Sequence, residues 1–294
     1  MSMLTSPGPA IGASTGVLAR LETIAPSLRE SERKIAEYVL SHAAELVYLS
    51  ITELADRTDT SEATVIRFAQ RLGYPGYAAL KIALALDLHE TASPLPGELT
   101  AHDDVGSVKR KVIEASVESL NDTARLLDDD ALRRAVDAIE SARRIEVYGV
   151  GGSAAIAQDA YSMLMQIGLP IGVVTDPHLQ VMSAVQLRRG DVALAISVSG
   201  STRDTIEALQ TARDAGATCI CLTRHLRSPI TRVAHVTLLA AARPTMVGGH
   251  QLNSRVAQLA VIDVLATATA LRRQDDSLQA LARGRQAISK SKRF

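Results

Sequence analysis

From Arg144 to Ala240 the chain repeats one cadence: a short apolar run, a polar turn, then an amphipathic stretch. The apolar runs are Ile145–Val150, Ile171–Thr175, Val192–Ser197, Thr218–Thr223 and Val236–Ala240. Apolar on both faces and only a few residues long, they read as buried parallel strands with helices between them. Together with a closing helix from about Ser254 to Leu271, they predict a doubly wound α/β domain. Its sheet is expected to hold five parallel strands in flavodoxin-like order. Ligands of such folds sit outside the carboxyl ends of the strands.

The third run ends in the richest chemistry, Ser197-Val198-Ser199-Gly200-Ser201-Thr202, and an amphipathic helix follows from Thr202 to Ala215. Free backbone N–H groups and the positive end of a helix attract an anion, and hydroxyls add donors. Gly200 lets the backbone come close to the ligand. No lysine follows in the P-loop pattern, so a phosphorylated small molecule is expected rather than a nucleoside triphosphate. A second cradle, Gly149-Val150-Gly151-Gly152-Ser153-Ala154, ends the first run. Gly149-x-Gly151-x-x-Ala154 also fits a loose dinucleotide fingerprint, with Asp176 where a ribose-binding acid would stand. Two short anion cradles on one crevice suit a compact sugar phosphate better, because a dinucleotide fold does not need the second loop.

Residues 17–91 read as all helix. Ser50 and Glu53 form a capping box for a short helix, Ile51–Arg57. Thr58-Asp59-Thr60 makes a tight turn, and Ser61 caps a second helix, Glu62–Leu72, which Gly73 stops. Helix, tight turn, helix is the helix-turn-helix plan. Ala55 is small where the helices cross, Val65 wedges between them, and Asp59 replaces the usual turn glycine, tolerating the left-handed conformation. Val65, Ile66, Phe68, Ala69 and Leu72 are expected inside. Ser61, Glu62, Ala63, Thr64, Arg67, Gln70 and Arg71 are left for DNA. Arginine suits guanine edges or phosphate, glutamine suits adenine, and threonine suits phosphate or a thymine methyl. Tyr74 and Tyr77 flank Pro75-Gly76 just beyond, within reach of a DNA backbone. The rival is a plain three-helix bundle with a solvated arginine face. The positive charges are local, at Arg57, Arg67, Arg71 and Lys81, so charge does not choose between the two.

Over 294 residues the formal net charge is zero, and tryptophan is absent, which argues against a base-stacking surface for single strands. Cys219 and Cys221 share one strand face. No second ligand pair accompanies them, so they read as buried thiols, with no metal and no cofactor expected. Without a signal peptide or a bilayer-length apolar run, a cytoplasmic protein is expected. Residues 1–16 read as a flexible start and 92–107, with two prolines and two glycines, as a linker. Helices Val108–Leu127 and Asp129–Ala142 follow, the second capped by Asp129 or Asp130, so the α/β domain spans 108–271. Residues 272–294 carry Arg272, Arg273, Arg283, Arg285, Lys290, Lys292 and Arg293, a solvated basic tail.

Ser61-Glu62-Ala63-Thr64-Val65-Ile66-Arg67-Phe68 followed by Leu72-Gly73-Tyr74, the two loops, and Ser254-Arg255-Val256-Ala257-Gln258-Leu259 occur in a telling order. The chain resembles, over nearly its whole length, the RpiR/MurR/HexR-type transcriptional regulators. These join a helix-turn-helix to a sugar isomerase (SIS) domain. The resemblance implies phosphate contacts at Gly152, Ser153, Ser197, Ser199, Gly200, Ser201 and Thr202. Val198 stands where members commonly carry histidine or glutamine, which bears on sugar selectivity. Asp176-Pro177-His178-Leu179-Gln180 resembles a segment near the ligand, making His178 and Gln180 candidates; a helix cap with solvated polar residues is the alternative. Arg224 and His225 read as a surface loop.

SIS folds also serve isomerases and lyases, whose proton transfers need a positioned base, usually a glutamate. From Val236 to Ile262 there is no Asp or Glu, and Asp263 stands alone on the last helix. The expectation is therefore a sensor without catalytic residues. It would bind a palindromic operator in double-stranded DNA as a homodimer or homotetramer, answering to a phosphorylated sugar. The alternatives are a sugar-phosphate isomerase or lyase and an NAD(H)-sensing regulator.

Overall fold

The computed structural model describes residues 16–24, 28–91, 99, 102–241, 245–247, 250–252 and 255–291. The chain divides into two compact units. Residues 1–15 of the expected flexible start lie outside the described residues, as does most of the expected linker.

The amino-terminal unit is helical: α1 (Val17–Ile24), α2 (Glu30–Ser41), α3 (Ala43–Leu46), α4 (Ile51–Arg57), α5 (Glu62–Arg71) and α6 (Tyr77–Thr91). Local chemistry sets the ends of the central pair. Ser50 Oγ accepts the Glu53 N–H (3.1 Å) while the Ser50 N–H donates to Glu53 Oε2 (2.6 Å), a reciprocal cap for α4. Asp59 takes φ +49° in the turn. Gly73 takes φ +90° after α5, and the Tyr74 N–H closes onto the Ala69 carbonyl (3.0 Å). Leu21, Ile35, Leu54, Val65, Phe68, Leu80 and Leu84 are fully buried and form the core.

The second unit begins with α7 (Val105–Leu126) and α8 (Asp129–Glu140). Helix thus reaches into the expected linker, because Asp104 caps α7 by accepting the Ser107 N–H (2.6 Å). The cap of α8 is Asp128, not Asp129 or Asp130, and it accepts the Ala131 N–H (2.7 Å). Then come β1 (Arg144–Tyr148), α9 (Gly152–Gln166), β2 (Ile171–Val174), α10 (Pro177–Ala184), β3 (Asp191–Ile196) and α11 (Arg203–Asp214). The unit continues through β4 (Thr218–Thr223), α12 (Pro229–Val233) and β5 (Val236–Leu239). In sequence a short pair, β6 (Thr245–Val247) and β7 (His250–Leu252), precedes α13 (Val256–Arg272) and α14 (Gln274–Ser291).

The five-stranded sheet runs β2-β1-β3-β4-β5, all parallel, with Tyr148 opposite Ala195 and Leu194 opposite Ile220. One face carries Ile145, Val147, Leu194, Ile196, Ile220 and Leu222 and packs on α8, α9 and α13. The other carries Tyr148, Ala193, Ala195, Cys219 and Cys221 and packs on α10, α11 and α12. Both cysteines are core thiols. Burial pushes Cys219 up to about 12 and Cys221 up to about 11. Among the described residues no group of three or more His, Cys, Asp or Glu could hold a metal ion. No helix of these residues is long and apolar enough to cross a membrane. The expected tail is helical too. α14 packs on α9 and α13, with Ser277 buried and Ala280 against Gly168, because apolar and small positions recur at helical spacing among its basic residues.

Candidate functional site

β1 and β3 are neighbours, so the chains leaving their carboxyl ends start about 4.8 Å apart. α9 turns onto one face of the sheet and α11 onto the other. A crevice therefore opens between the two loops, at the point where the winding changes direction.

The loop after β1 is shaped by missing side chains. A Cβ at Gly149 would stand 2.9 Å from the Ser153 carbonyl oxygen and 3.3 Å from Ala157 Cβ, so glycine lets α9 pack onto the strand end. Gly151 takes φ +55° and no side chain caps α9. The positive end of the helix thus faces outward with Gly151 and Gly152 exposed and Ser153 half-buried. A Cβ on Gly152 would lie 3.9 Å from Arg255 Nη2. Sequence reasoning had used Arg255 only as part of the closing helix. No local signal links it to a loop about a hundred positions away; the fold brings the guanidinium to the mouth of the cradle.

The loop after β3 is shaped by its own hydrogen bonds. Ser197 is 1 % exposed and its Oγ donates to Thr202 Oγ1 (3.1 Å). The Gly200 N–H donates to the Ser197 carbonyl (3.1 Å), and the Ser201 N–H donates to Ser199 Oγ (3.2 Å). Ser199 and Ser201 are exposed, and Thr202 opens α11 without a side-chain cap. Ser197 thus holds Thr202 from the buried side, while Ser199 and Ser201 stay exposed and Thr202 half-buried. Gly200 differs from expectation. It takes φ +64°, and a notional Cβ there would run into Ser228 Oγ and stand 3.0 Å from Thr223 Oγ1. Its lack of a side chain admits the β4–α12 loop rather than a ligand.

That neighbouring loop corrects a second reading: His225 is buried, not part of a surface loop, and its carbonyl accepts the Ser228 hydroxyl (3.0 Å). Asp176 caps α10 by accepting the Leu179 N–H (3.0 Å), so the proposed ribose-binding acid is engaged at a helix end. His178 is exposed beside it. Gln180 is fully buried rather than solvated; its Nε2 donates to the carbonyls of Gly149 (3.2 Å) and Val174 (2.9 Å). It ties the ends of β1 and β2 together and so positions the first cradle, and its Oε1 is buried without a partner. Asp263, the lone acid of the closing helix, is exposed.

In the helical unit, α5 presents a narrower outer face than expected. Thr64 is buried at 7 % exposure, while Ile66 is 39 % exposed. The helical period explains both. Residues 64, 65, 68, 69 and 72 form one side, and 66 lies about 100° away from 65. Ser61 Oγ caps α5 by accepting the Thr64 N–H (3.2 Å). Glu62 accepts a hydrogen bond from Thr52 Oγ1 of α4. Arg71 pairs with Glu32 of α2 (2.7 Å). Exposed Arg67 reaches back to Thr64 Oγ1 (3.0 Å), and Gln70 is exposed. Arg57 pairs with Glu45 and Lys81 donates to the Leu49 carbonyl (2.8 Å). Tyr77, expected near DNA, is core: its hydroxyl donates to the Leu49 carbonyl (3.1 Å), and burial raises its pKa.

Comparison with known proteins accords with this division. Residues 15–91 match the helix-turn-helix domain of the rpiR family, and residues 138–268 match the SIS domain. The chain is 37 % identical over 278 residues to an uncharacterized HTH-type transcriptional regulator of Caldanaerobacter subterraneus subsp. tengcongensis, covering 95 % of this chain and 99 % of that one. It is 32 % identical over 256 residues to another from Haemophilus influenzae, covering 86 % and 89 %. Among solved structures, Vibrio vulnificus NanR complexed with ManNAc-6P superposes with a TM-score of 0.82 at 29 % identity, covering 95 % of this chain and all (100 %) of that one. The sugar isomerase domain of a Sphaerobacter thermophilus RpiR transcription factor superposes with a TM-score of 0.57 at 30 % identity, covering 61 % and 98 %. The chain belongs to the rpiR family of helix-turn-helix transcriptional regulators, with a SIS domain as its second unit.

Proposed function

We propose that this chain is a cytoplasmic repressor of carbohydrate-metabolism genes, a homodimer or homotetramer that releases a palindromic DNA operator according to a phosphorylated sugar. The observation that carries the reading is the pair of loops that leave the adjacent strands β1 and β3. Two helix amino ends without side-chain caps, α9 and α11, open there beside Gly152, Ser153, Ser199, Ser201 and Thr202. Backbone amides and hydroxyls bind a phosphate without a counter-charge, and Arg255 supplies one. NanR with ManNAc-6P makes phosphorylated sugars the first compounds to try.

On DNA, Arg67 and Gln70 of α5 are the base readers, Ser61 sits at the phosphate end of the helix, and Glu62, Thr64 and Arg71 hold α5 in place. Two α5 helices about 34 Å apart would read two half-sites. Ligand and DNA then communicate through differential affinity for two arrangements, typically about 1–3 kcal/mol. Exposed Asp263 has neither the burial nor the neighbours that make a general base, so the site is assigned no catalytic residue.

The test is a thermal-shift screen of ManNAc-6P and other phosphorylated sugars against their unphosphorylated forms, then electrophoretic mobility shifts on the upstream region of its own gene. A phosphosugar at a hundred times its Kd stabilises by about 2.7 kcal/mol. Arg67→Ala is expected to abolish the DNA shift with sugar binding intact. Turnover of a phosphosugar, or stabilisation by NADH alone, defeats the reading.

A further inference from the structure

Helix α14 is packed on one side only. Ser277 is buried and Ala280 lies against Gly168, yet every residue from Ala282 to Ser289 is exposed. A helical stretch with no packing of its own is marginal in water. Its bare side carries a pattern. Asp275, Leu278, Ala282 and Arg285 follow one another at intervals of three, four and three, which puts them on one face, and all four are exposed. Among the described residues Arg273 pairs with Asp276, and neither Asp275 nor Arg285 has an ion pair.

Along the helix this face reads acid, apolar, small, base. Turned end for end it is its own complement. An antiparallel copy sets Asp275 against Arg285 and Leu278 against Ala282, twice, about a two-fold axis. The helix dipoles are then opposed as well. Beside this face a groove of about 380 Å³ runs between α9, α13 and α14, lined in part by Met163, Leu271 and Leu278. Leu271 is 68 % exposed and Ile288 is 56 % exposed.

We propose that α14 is a dimerisation helix. A second copy of this chain docks on it antiparallel, with Asp275 against Arg285 of the partner copy and Leu278 against its Ala282. This rests on the homo-oligomer proposed above and assigns it a surface.

The experiment is sedimentation equilibrium of the full chain. Asp275→Arg and Arg285→Asp are each expected to raise the dissociation constant of the assembly about tenfold at low salt, since each change breaks two symmetry-related pairs. The double reversal should restore it. Leu278→Asp alters an exposed side chain, so the far-UV circular dichroism spectrum of the folded chain should be unchanged while the assembly weakens. Leu278→Cys with Ala282→Cys should give an interchain disulfide under mild oxidation, the native thiols being buried. An assembly indifferent to these changes, or a double reversal that does not recover, overturns this surface while leaving the homo-oligomer standing. A monomer at every concentration overturns both.

Discussion

The glycine loop after β1 and the serine loop after β3 leave adjacent strands and open helices on opposite faces of one sheet. They reach similar shapes by opposite means. The first has no internal side-chain scaffold: Gly149 removes the clash with Ser153, Gly151 takes a positive φ of +55°, and backbone bonds from the Ser153 and Ala154 N–H groups to the Val150 and Gly151 carbonyls (3.1 and 3.2 Å) hold the turn. The second is braced by Ser197 to Thr202, by Ser201 to Ser199, and by the seat of Gly200 against Ser228. The difference separates two duties that a motif search merges. In the glycine loop nearly every feature serves access. In the serine loop Ser197 and Gly200 serve rigidity, and Ser199 and Ser201 brace each other while staying exposed, which is why the proposal puts the ligand on them and on Thr202.

The sharpest way to break this contrast is at the two left-handed glycines. Gly200→Ala must bear both the backbone strain and a Cβ driven into Ser228, so a loss of about 3 kcal/mol is expected. Gly151→Ala bears strain alone, since nothing lies within 4 Å, and at φ +55°, ψ −124° about 2 kcal/mol is expected. Urea unfolding measures both; equal losses would erase the distinction. Next come the serines. Ser199→Ala should weaken phosphosugar binding by about tenfold, the effect of losing a hydrogen bond to a charged group, with melting unchanged. Ser197→Ala should instead lower stability by about 1 kcal/mol, with the smaller effect on affinity. Calorimetric titration alongside thermal melts separates the two. Arg255→Gln should cost affinity at low ionic strength, and the deficit should shrink as salt screens the guanidinium.

The smallest effect expected is with pH. Amides and hydroxyls do not titrate near neutrality, so affinity should follow the ligand's own phosphate ionisation near about pH 6. Stability has a separate acid slope. His235 Nδ1 accepts the Cys219 N–H (2.9 Å), and burial lowers its pKa below the ordinary 6.5. Its contribution is present above that ordinary value and is lost as pH falls through the lowered one. His235→Gln should flatten the acid side of a stability–pH curve.

Much of the fold was legible because its signals are local. Ser50 with Glu53, Ser61, Asp59 and Gly73 are decided within four residues of chain, and the structure places all of them as helix ends or turn. The strands were legible because runs buried on both faces carry no polar alternation. What was missed lies where two distant segments compete for one side chain. Arg71 looked free for DNA, but Glu32 stands 39 positions away in sequence and 2.7 Å away in space. Gln180 stood as a ligand candidate or a solvated side chain, yet it spans to Gly149 across 31 positions. α14 hid behind its charges, which made a packed helix look like a tail.

By itself, then, the order of residues determined the five strands of the main sheet, the helices between them and the caps of α4 and α5, and that a strand-to-helix turn of hydroxyls and glycine could hold an anion. Those choices depend on neighbours a turn or a pleat away. Only the tertiary structure decided which groups remain available: that Gly200 faces Ser228, that Thr64 is inside, that Arg255 reaches Gly152. Availability is a property of what else fills the surrounding space, and the chain fills it from residues scores of positions apart.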